Sequence, residues 1–199
     1  SLKLEKALLK NGDLLIDQSY MEINEFGDTA YLRPLIFAHL KEAHQSLSYL
    51  LNHPDYLSDF DEQISETFIH SLSKKDDPFS ERLYALGADP NYHCLICREN
   101  NALMVAAAHG NEDWYFKLKK TADWSYKNKE GVSLLHCAAS GPSTKIATDV
   151  FGSKKFDMND KTKSGMTALD YAAWNVENHA LFEKLLVQGA DINQAQNIL

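Results

Sequence analysis

The chain has 199 residues, a hydrophobic fraction of 44% and a net charge of −8 at pH 7. The negative charge argues against nucleic acid as the main partner, and no apolar run approaches the roughly 20 residues that a membrane-spanning helix needs. The charge is uneven, because residues 1–99 carry 9 Lys/Arg and 17 Asp/Glu whereas residues 100–199 carry 11 of each.

The cysteine content bears on the compartment. The chain has three cysteines, an odd number, and its N-terminus lacks the long apolar core of a signal peptide. This pattern predicts no disulfide framework and a reducing environment. We therefore expect a cytoplasmic protein, and we expect it to be monomeric, with no insertion into a membrane.

The N-terminal segment is the least regular part of the sequence. Residues 3–10 have the spacing of one amphipathic helix, closed by Asn11-Gly12. Asp13 resembles the periodic aspartates described next, but it lies 42 residues before Asp55 rather than 34. We therefore predict that residues 1–30 form an irregular N-terminal capping segment.

From residue 31 onward the sequence repeats. Five aspartates lie 34 residues apart, and four of them are followed two positions later by a small polar residue: Asp55, Asp89 (Asn91), Asp123 (Ser125), Asp157 (Asn159) and Asp191 (Asn193). Central apolar residues recur in the same register at Leu35, Ile69, Leu103, Leu135 and Leu169. A period near 33 predicts a stack of similar units with one elongated core.

Each unit has the pattern of two short helices. Thr or Ser two residues before the central apolar position is a favourable N-cap, at Thr67, Ser133 and Thr167. A second apolar stripe at helical spacing follows at about 45–53, 79–86, 112–120, 144–152 and 178–188. The aspartate then opens an extended finger, and the apolar residue after it is predicted to pack finger against finger (Tyr56, Pro90, Trp124, Met158, Ile192).

These landmarks resemble the ankyrin repeat, whose signature is Thr-Pro-Leu-His-x-Ala. The resemblance covers about residues 31–193, and the fifth unit matches best, with Gly165, Thr167, Leu169 and Ala172 in register. It implies an all-α solenoid of helix–turn–helix units joined by finger hairpins. We assign an ankyrin repeat domain to residues 31–199, with units at about 31–56, 57–90, 91–124, 125–158 and 159–193.

Two departures from the signature carry expectations. The motif histidine is present only as His70 and His136, so the polar network at the helix start should be incomplete in the other units, which hold Ile36, Met104 and Asp170. The fourth unit has Gly141-Pro142 where its first helix should turn back. We expect its second helix to be short or tilted.

Catalytic and metal motifs are sparse. Cys94-Leu-Ile-Cys97 offers two thiolates, whereas a structural zinc ion takes four ligands, so we interpret the pair as small residues filling an edge. Adjacent His136 and Cys137 point about 100° apart on a helix, which is poor geometry for a catalytic dyad. The acidic run at 59–66 lacks the 12-residue calcium loop and is interpreted as a solvated finger. No catalytic, cofactor or metal residue is predicted, so we do not expect an enzyme.

The resemblance also implies where a partner protein binds. Ankyrin partners usually contact the concave side, formed by finger tips and the outer face of each first helix. The corresponding residues here are Trp174, Asn175, Lys74, Lys75, Leu40, Lys41, His109, Arg98, Asn100, Lys129, Lys163 and Met166. Trp174 is the foremost candidate, since Trp is enriched among binding hot spots, although it could instead pack locally.

Charge on the fingers predicts an orientation for that partner. The second finger is acidic at Asp59, Asp61 and Glu62, whereas the fourth and fifth carry Lys127, Lys129, Lys161 and Lys163. A partner of opposite polarity would be steered into one direction along the groove.

Non-catalytic protein–protein recognition is therefore the predicted function. The alternative is a targeting or substrate-binding module of a larger enzyme or secreted bacterial effector, which would act in a host cytoplasm. Divergent arrays of this kind resemble those in effectors of intracellular bacteria, and the pattern stops eight residues after Asp191, as in a fragment of a longer protein. A metal or redox protein built on Cys94 and Cys97 is the third possibility.

Overall fold

The structure is a computed structural model that describes residues 20–23, 29–57, 59–174 and 179–196. These residues hold a two-stranded hairpin, β1 (Tyr20–Ile23) and β2 (Thr29–Leu32), and ten α-helices. The helices are α1 (Pro34–Leu40), α2 (His44–Asn52), α3 (Phe60–Ser71), α4 (Ser80–Ala85), α5 (Ala102–Ala108), α6 (Glu112–Leu118), α7 (Leu134–Ser140), α8 (Thr144–Gly152), α9 (Ala168–Trp174) and α10 (His179–Val187). The strands pair antiparallel, from Tyr20 opposite Leu32 to Ile23 opposite Thr29. The helix predicted at 3–10 lies outside the described residues.

The helices form two layers. The first helices of the units pack in sequence, α1 on α3, α3 on α5, α5 on α7 and α7 on α9, while α6, α8 and α10 pack in a second row. The core runs between the rows. The central positions Leu35, Ile69, Leu103, Leu135 and Leu169 are all fully buried. The predicted all-α stack and its register are therefore confirmed, and the hairpin precedes it.

The periodic aspartates hold the connections together. In four copies the Asp Oδ1 atom accepts a hydrogen bond from the amide two residues later, at 2.8–3.0 Å (Asn91, Ser125, Asn159 and Asn193). The side chain of Asn91 then accepts from the Asp123 amide at 2.8 Å, and Asn159 accepts from the Asp191 amide at 2.7 Å. Four of the aspartates thus close their own turns, and Asn91 and Asn159 each connect one copy to the next. We name this chain of bonds the aspartate ladder.

The packing expected after each aspartate is only partly present. Met158 is buried, and Trp124 packs against Phe156 with ring centroids 6.3 Å apart. Ile192 is exposed, so the expected packing is wrong at that position.

Side chains of several types cap the first helices. In the fourth unit Ser133 and His136 form a capping box, with the Ser133 hydroxyl 2.8 Å from His136 Nδ1. In the fifth, Asp170 takes the place of the histidine and accepts from both the amide and the hydroxyl of Thr167, at 2.7 and 2.8 Å. The expected incomplete network is therefore wrong there, because a carboxylate accepts the same two bonds that an imidazole nitrogen does.

The second unit departs most from the predicted pattern. Helix α3 begins at Phe60, after Asp59 in the left-handed region with φ 50°, so Thr67 lies inside the helix and donates to the Gln63 carbonyl. The N-cap predicted at Thr67 is wrong. The prediction of an acidic finger is also wrong. The acidic segment forms the first two turns of α3, where the positive end of the helix dipole stabilises acidic side chains. This unit has a long helix in place of a finger.

In the fourth unit the second helix is longer than predicted. Its second helix, α8, spans nine residues and is not shortened by Gly141-Pro142. Ser143 allows the helix to start directly after this pair, because its hydroxyl accepts from the Ile146 amide at 3.2 Å and caps a helix that begins at Thr144, three residues after the glycine. The predicted short helix is wrong.

Candidate functional site

Fingers 3 (residues 94–100), 4 (127–133) and 5 (162–166) are joined side by side. The Asn128 side-chain amide donates to the Arg98 carbonyl at 3.1 Å and to Asn100 Oδ1 at 2.9 Å. The Lys163 amide donates to the Glu130 carbonyl at 2.9 Å. These bonds make the three fingers one continuous wall, whereas helix α3 occupies the corresponding place in the second unit.

Two aromatic side chains of α9 lie at the last unit. The Tyr171 and Trp174 ring centroids are 5.3 Å apart, and Trp174 is 60% exposed. Burial raises the pKa of Tyr171, the Arg98 guanidinium opposes that rise and Glu130 adds to it. Arg98 on finger 3 and Glu130 on finger 4 are therefore within electrostatic range of the Tyr171 phenol. We call Arg98, Glu130, Lys163, Tyr171 and Trp174 the groove surface.

The structure brings together some of the predicted partner residues. Those on fingers 3–5 and α9 are Arg98, Asn100, Lys129, Lys163, Met166 and Trp174. Two already have intramolecular roles, since Asn100 accepts from Asn128 and Lys129 lies 3.4 Å from Glu99. His109 follows α5 and is exposed, while desolvation lowers its pKa.

The remaining predicted residues lie on the first two units. Lys74 is paired with Glu42 at 2.7 Å, and Lys41 lies over the Phe37 ring with its Nζ 5.5 Å from the centroid. Lys75 is exposed and Leu40 is half-buried. These four residues lie at or just after the C-terminal ends of α1 and α3. Asn175 lies outside the described residues.

Tyr171 is a candidate that the sequence pattern missed. It occupies the second position after the central apolar residue, where the other copies hold Phe37, Ser71, Val105 and Cys137. The structure shows Ser71, Val105 and Cys137 buried, so the position usually belongs to the stack. The variation at this position, with a tyrosine in the last copy, was the signal in the sequence that could have identified Tyr171 as a candidate.

The surface charge changes sign along the stack. Fingers 3–5 and their flanks carry Arg98, Lys127, Lys129, Lys161 and Lys163 against Glu99, Glu130 and Asp160. At the start of α3, Asp59, Asp61 and Glu62 are exposed, and Glu62 bonds to Arg33 at 2.6 Å. The predicted charge order is present, with a helix in place of the acidic finger.

The histidine and cysteine side chains have structural surroundings. His136 is buried and belongs to the capping box, with its Nδ1 3.2 Å from the Ser133 amide. Cys137 is buried, which raises the pKa of its thiol to about 12. Among the described residues, no cluster of three or more His, Cys, Asp or Glu side chains could hold a metal ion. Cys94 and Cys97 are joined as a disulfide rather than simply filling an edge.

Within the part of the chain that the structure describes, no helix has the length and apolar content to cross a membrane.

Comparison with known proteins agrees with the geometry. Residues 103–196 match a family described as ankyrin repeats, in three copies. A search of curated proteins found no match to the chain. Ankyrin repeats generally mediate protein–protein interactions and are generally non-catalytic. Residues 103–196, which hold most of the third unit and the fourth and fifth units, are therefore ankyrin repeats, and the same helical stack continues through the first two units.

Proposed function

We propose that the chain recognises another protein through the groove surface, with Trp174 as the main contact. The main support for this proposal is Trp174, whose side chain is 60% exposed. A large aromatic side chain is seldom left this exposed to solvent unless a partner covers it. Tyr171 supports it from one side with a partly buried ring. The hydrogen bonds among fingers 3–5 hold the wall in place before binding, which reduces the entropy lost on association.

Charge complementarity suggests the chemistry of the partner. The chain is negative overall, yet the tips of fingers 3–5 carry more basic than acidic side chains. An acidic segment with one apolar anchor residue would place its carboxylates against Arg98 and Lys163 and its anchor on Trp174. The acidic start of α3 would repel the same segment, so the partner is expected to bind in one direction.

A quantitative affinity purification tests the proposal. The intact chain and a Trp174→Ala variant are used as bait, and the affinity of each captured protein is then measured with purified components. If Trp174 is a hot spot, its removal weakens binding by about 2 kcal/mol or more. Retained affinity in the Trp174→Ala variant would remove it from the interface.

Phe116 supplies the matched control. It is also an exposed aromatic residue, at 41%, but it lies on α6 in the layer of second helices. Phe116→Ala should leave affinity unchanged, whereas Arg98→Glu should weaken binding and reverse the effect of added salt. The roles as an effector or as a module of a larger enzyme stay predictions, since no observation on the described residues favours either.

A further inference from the structure

The Cys-x-x-Cys motif lies at the start of finger 3. Cys94 precedes the 3₁₀ turn Leu95–Cys97 and Cys97 is its last residue, and the two Cα atoms are 5.1 Å apart, within the range that a disulfide spans. The two sulfurs are not equally accessible, because Cys94 is fully buried and Cys97 is partly exposed. The turn itself faces solvent, with Leu95 63% exposed.

The residues after the turn adopt an unfavourable backbone conformation. Arg98 and Glu99 both lie in the left-handed region, with φ 58° and 60°, although neither is glycine. The loop is held by hydrogen bonds from the Glu99 amide to the Cys94 carbonyl at 2.8 Å and from the Cys94 amide to the Asn100 carbonyl at 3.2 Å. A covalent link between Cys94 and Cys97 removes alternative conformations of this loop, which is how a disulfide stabilises a folded segment.

The loop is also what positions Arg98 relative to the next finger. Asn128 donates to the Arg98 carbonyl and the Tyr126 hydroxyl donates to the Glu99 carbonyl at 2.8 Å. A change in the loop therefore reaches both the Arg98 side chain and the contact between fingers 3 and 4.

Helix α3 provides partners for the turn in either redox state. The Glu66 carbonyl lies 3.8 Å from Cys94 Sγ, so a reduced Cys94 thiol has an acceptor. Burial raises the pKa of Glu66, and the backbone amides of Ile96 and Leu95 oppose that rise, so the turn lies against the Glu66 carboxyl group on α3. Reduction should therefore loosen residues 97–100 while the start of the turn stays in place.

We propose that Cys94 and Cys97 form a reversible thiol–disulfide modification site for low-molecular-weight thiols and disulfides of the glutathione class. The Cys97 thiolate attacks the small disulfide and releases one small thiolate, which takes up a proton. The Cys94 thiolate then attacks the Cys97 sulfur of the mixed disulfide and expels the second small thiol. Two protein thiols are oxidised to one disulfide, and one small disulfide is reduced to two thiols. Attack of a small thiolate on the exposed Cys97 sulfur reverses the sequence.

The experiment equilibrates the full chain in buffers that run from reduced to oxidised glutathione. Free thiols are then trapped by alkylation in acid and assigned by peptide mass spectrometry. The proposal predicts a two-thiol transition confined to Cys94 and Cys97, with Cys137 reduced throughout because it is buried. A Cys94→Ser variant should accumulate a mixed disulfide on Cys97, because the thiol that resolves it is gone.

A second readout reports on the loop. Hydrogen exchange of the Glu99 and Asn100 amides should be about tenfold faster in the reduced chain than in the oxidised chain, since the left-handed residues are then free to relax. A Cys94→Ser/Cys97→Ser variant should exchange at the reduced rate in every buffer. Thiols that do not respond to glutathione, a transition that includes Cys137, equal exchange in both states, or one bound zinc ion per chain would each overturn the proposal. Partner binding is measured separately, so these outcomes leave the proposed function untouched.

Discussion

At the scale of single residues, the aspartate ladder gives a structural role to four of the five aspartates that recur at a fixed interval. Asp89 and Asp123 each close a turn with a carboxylate oxygen, and Asn91 carries the connection from one copy to the next. The spacing and the small polar residue two positions later are visible in the sequence. The partner of Asn91 is not, because it comes from a unit 32 residues away in the chain.

Loss of one inter-unit hydrogen bond of the aspartate ladder gives the first stability prediction. Asn91→Ala leaves the Asp123 amide without its side-chain acceptor and should lower the free energy of unfolding by about 1 kcal/mol. Asn193→Ala is the matched control, because within the described residues no following aspartate amide donates to Asn193. Chemical denaturation of both variants decides the point, and equal losses would show that the inter-unit bond contributes nothing.

Two histidines, His39, which is buried, and His70, which is partly buried, join the first two units. His39 Nε2 lies 2.8 Å from Asp77 Oδ2, and His39 Nδ1 lies 3.2 Å from His70 Nδ1. Burial, assisted by nearby His39 and Lys74, lowers the pKa of His70 to about 4. Burial also acts to raise the pKa of Asp77, but the hydrogen bonds from His39 and the Phe79 amide hold it below its usual value.

The His70 shift predicts how stability depends on pH. The folded chain keeps His70 neutral, whereas the unfolded chain protonates it below about pH 6.5, so its contribution is present above that pH and is lost as the pH falls toward 4. Between pH 7 and 4.5 the free energy of unfolding should fall by roughly 2 kcal/mol more in the parent chain than in His70→Gln. Denaturation curves at several pH values test this, and identical slopes would contradict it.

At the scale of elements, apolar periodicity located the helices better than the capping signals did. The second helices lie within two residues of their predicted bounds, because the buried stripe determines where they pack. Thr67 failed as an N-cap because Ile64 and Phe68 are also buried, which extends α3 toward its N-terminus. Asp170 succeeded as a cap without matching the family motif. Capping depends on hydrogen-bonding capacity, so a motif letter alone predicts it poorly.

Gly141 shows how closely neighbouring first helices approach. A Cβ atom added at Gly141 would overlap the carbonyl oxygen of Ala107 on α5, although the Gly141 backbone angles suit any residue. The sequence suggested a helix breaker at this position, but the glycine is required by the close approach of α5.

This contact predicts a size-sensitive position. Gly141→Ala should lower the free energy of unfolding by about 2 kcal/mol, because backbone atoms must move to accept the methyl group. Gly152→Ala is the control, since a methyl group at Gly152 would meet no atom within 4 Å and the residue ends α8. Thermal or urea unfolding should leave the Gly152 variant unchanged or slightly more stable. Equal destabilisation of both variants would contradict the account.

At the scale of the whole molecule, the helices form a regular stack, and the groove surface lies at the C-terminal end of that stack. The repeat period predicted the stack and its register, because every unit must bury the same face. It could not predict that the second finger is absent, since that depends on how far α3 extends. Nor could it show that Arg98 and Glu130 come within electrostatic range of Tyr171, because these residues belong to three different units. Contact with a partner at the variable positions stays a prediction, and only some of those positions share a surface.

The most direct measurement is hydrogen exchange of the chain with and without its bound partner. Binding at the groove surface should slow exchange in fingers 3–5 and at the C-terminal end of α9, with α2, α4 and α6 unchanged. The Trp174→Ala substitution should abolish this protection at the concentration used. Protection confined to the second helices, or to α1 and α2, would contradict the claim that the groove surface binds the partner.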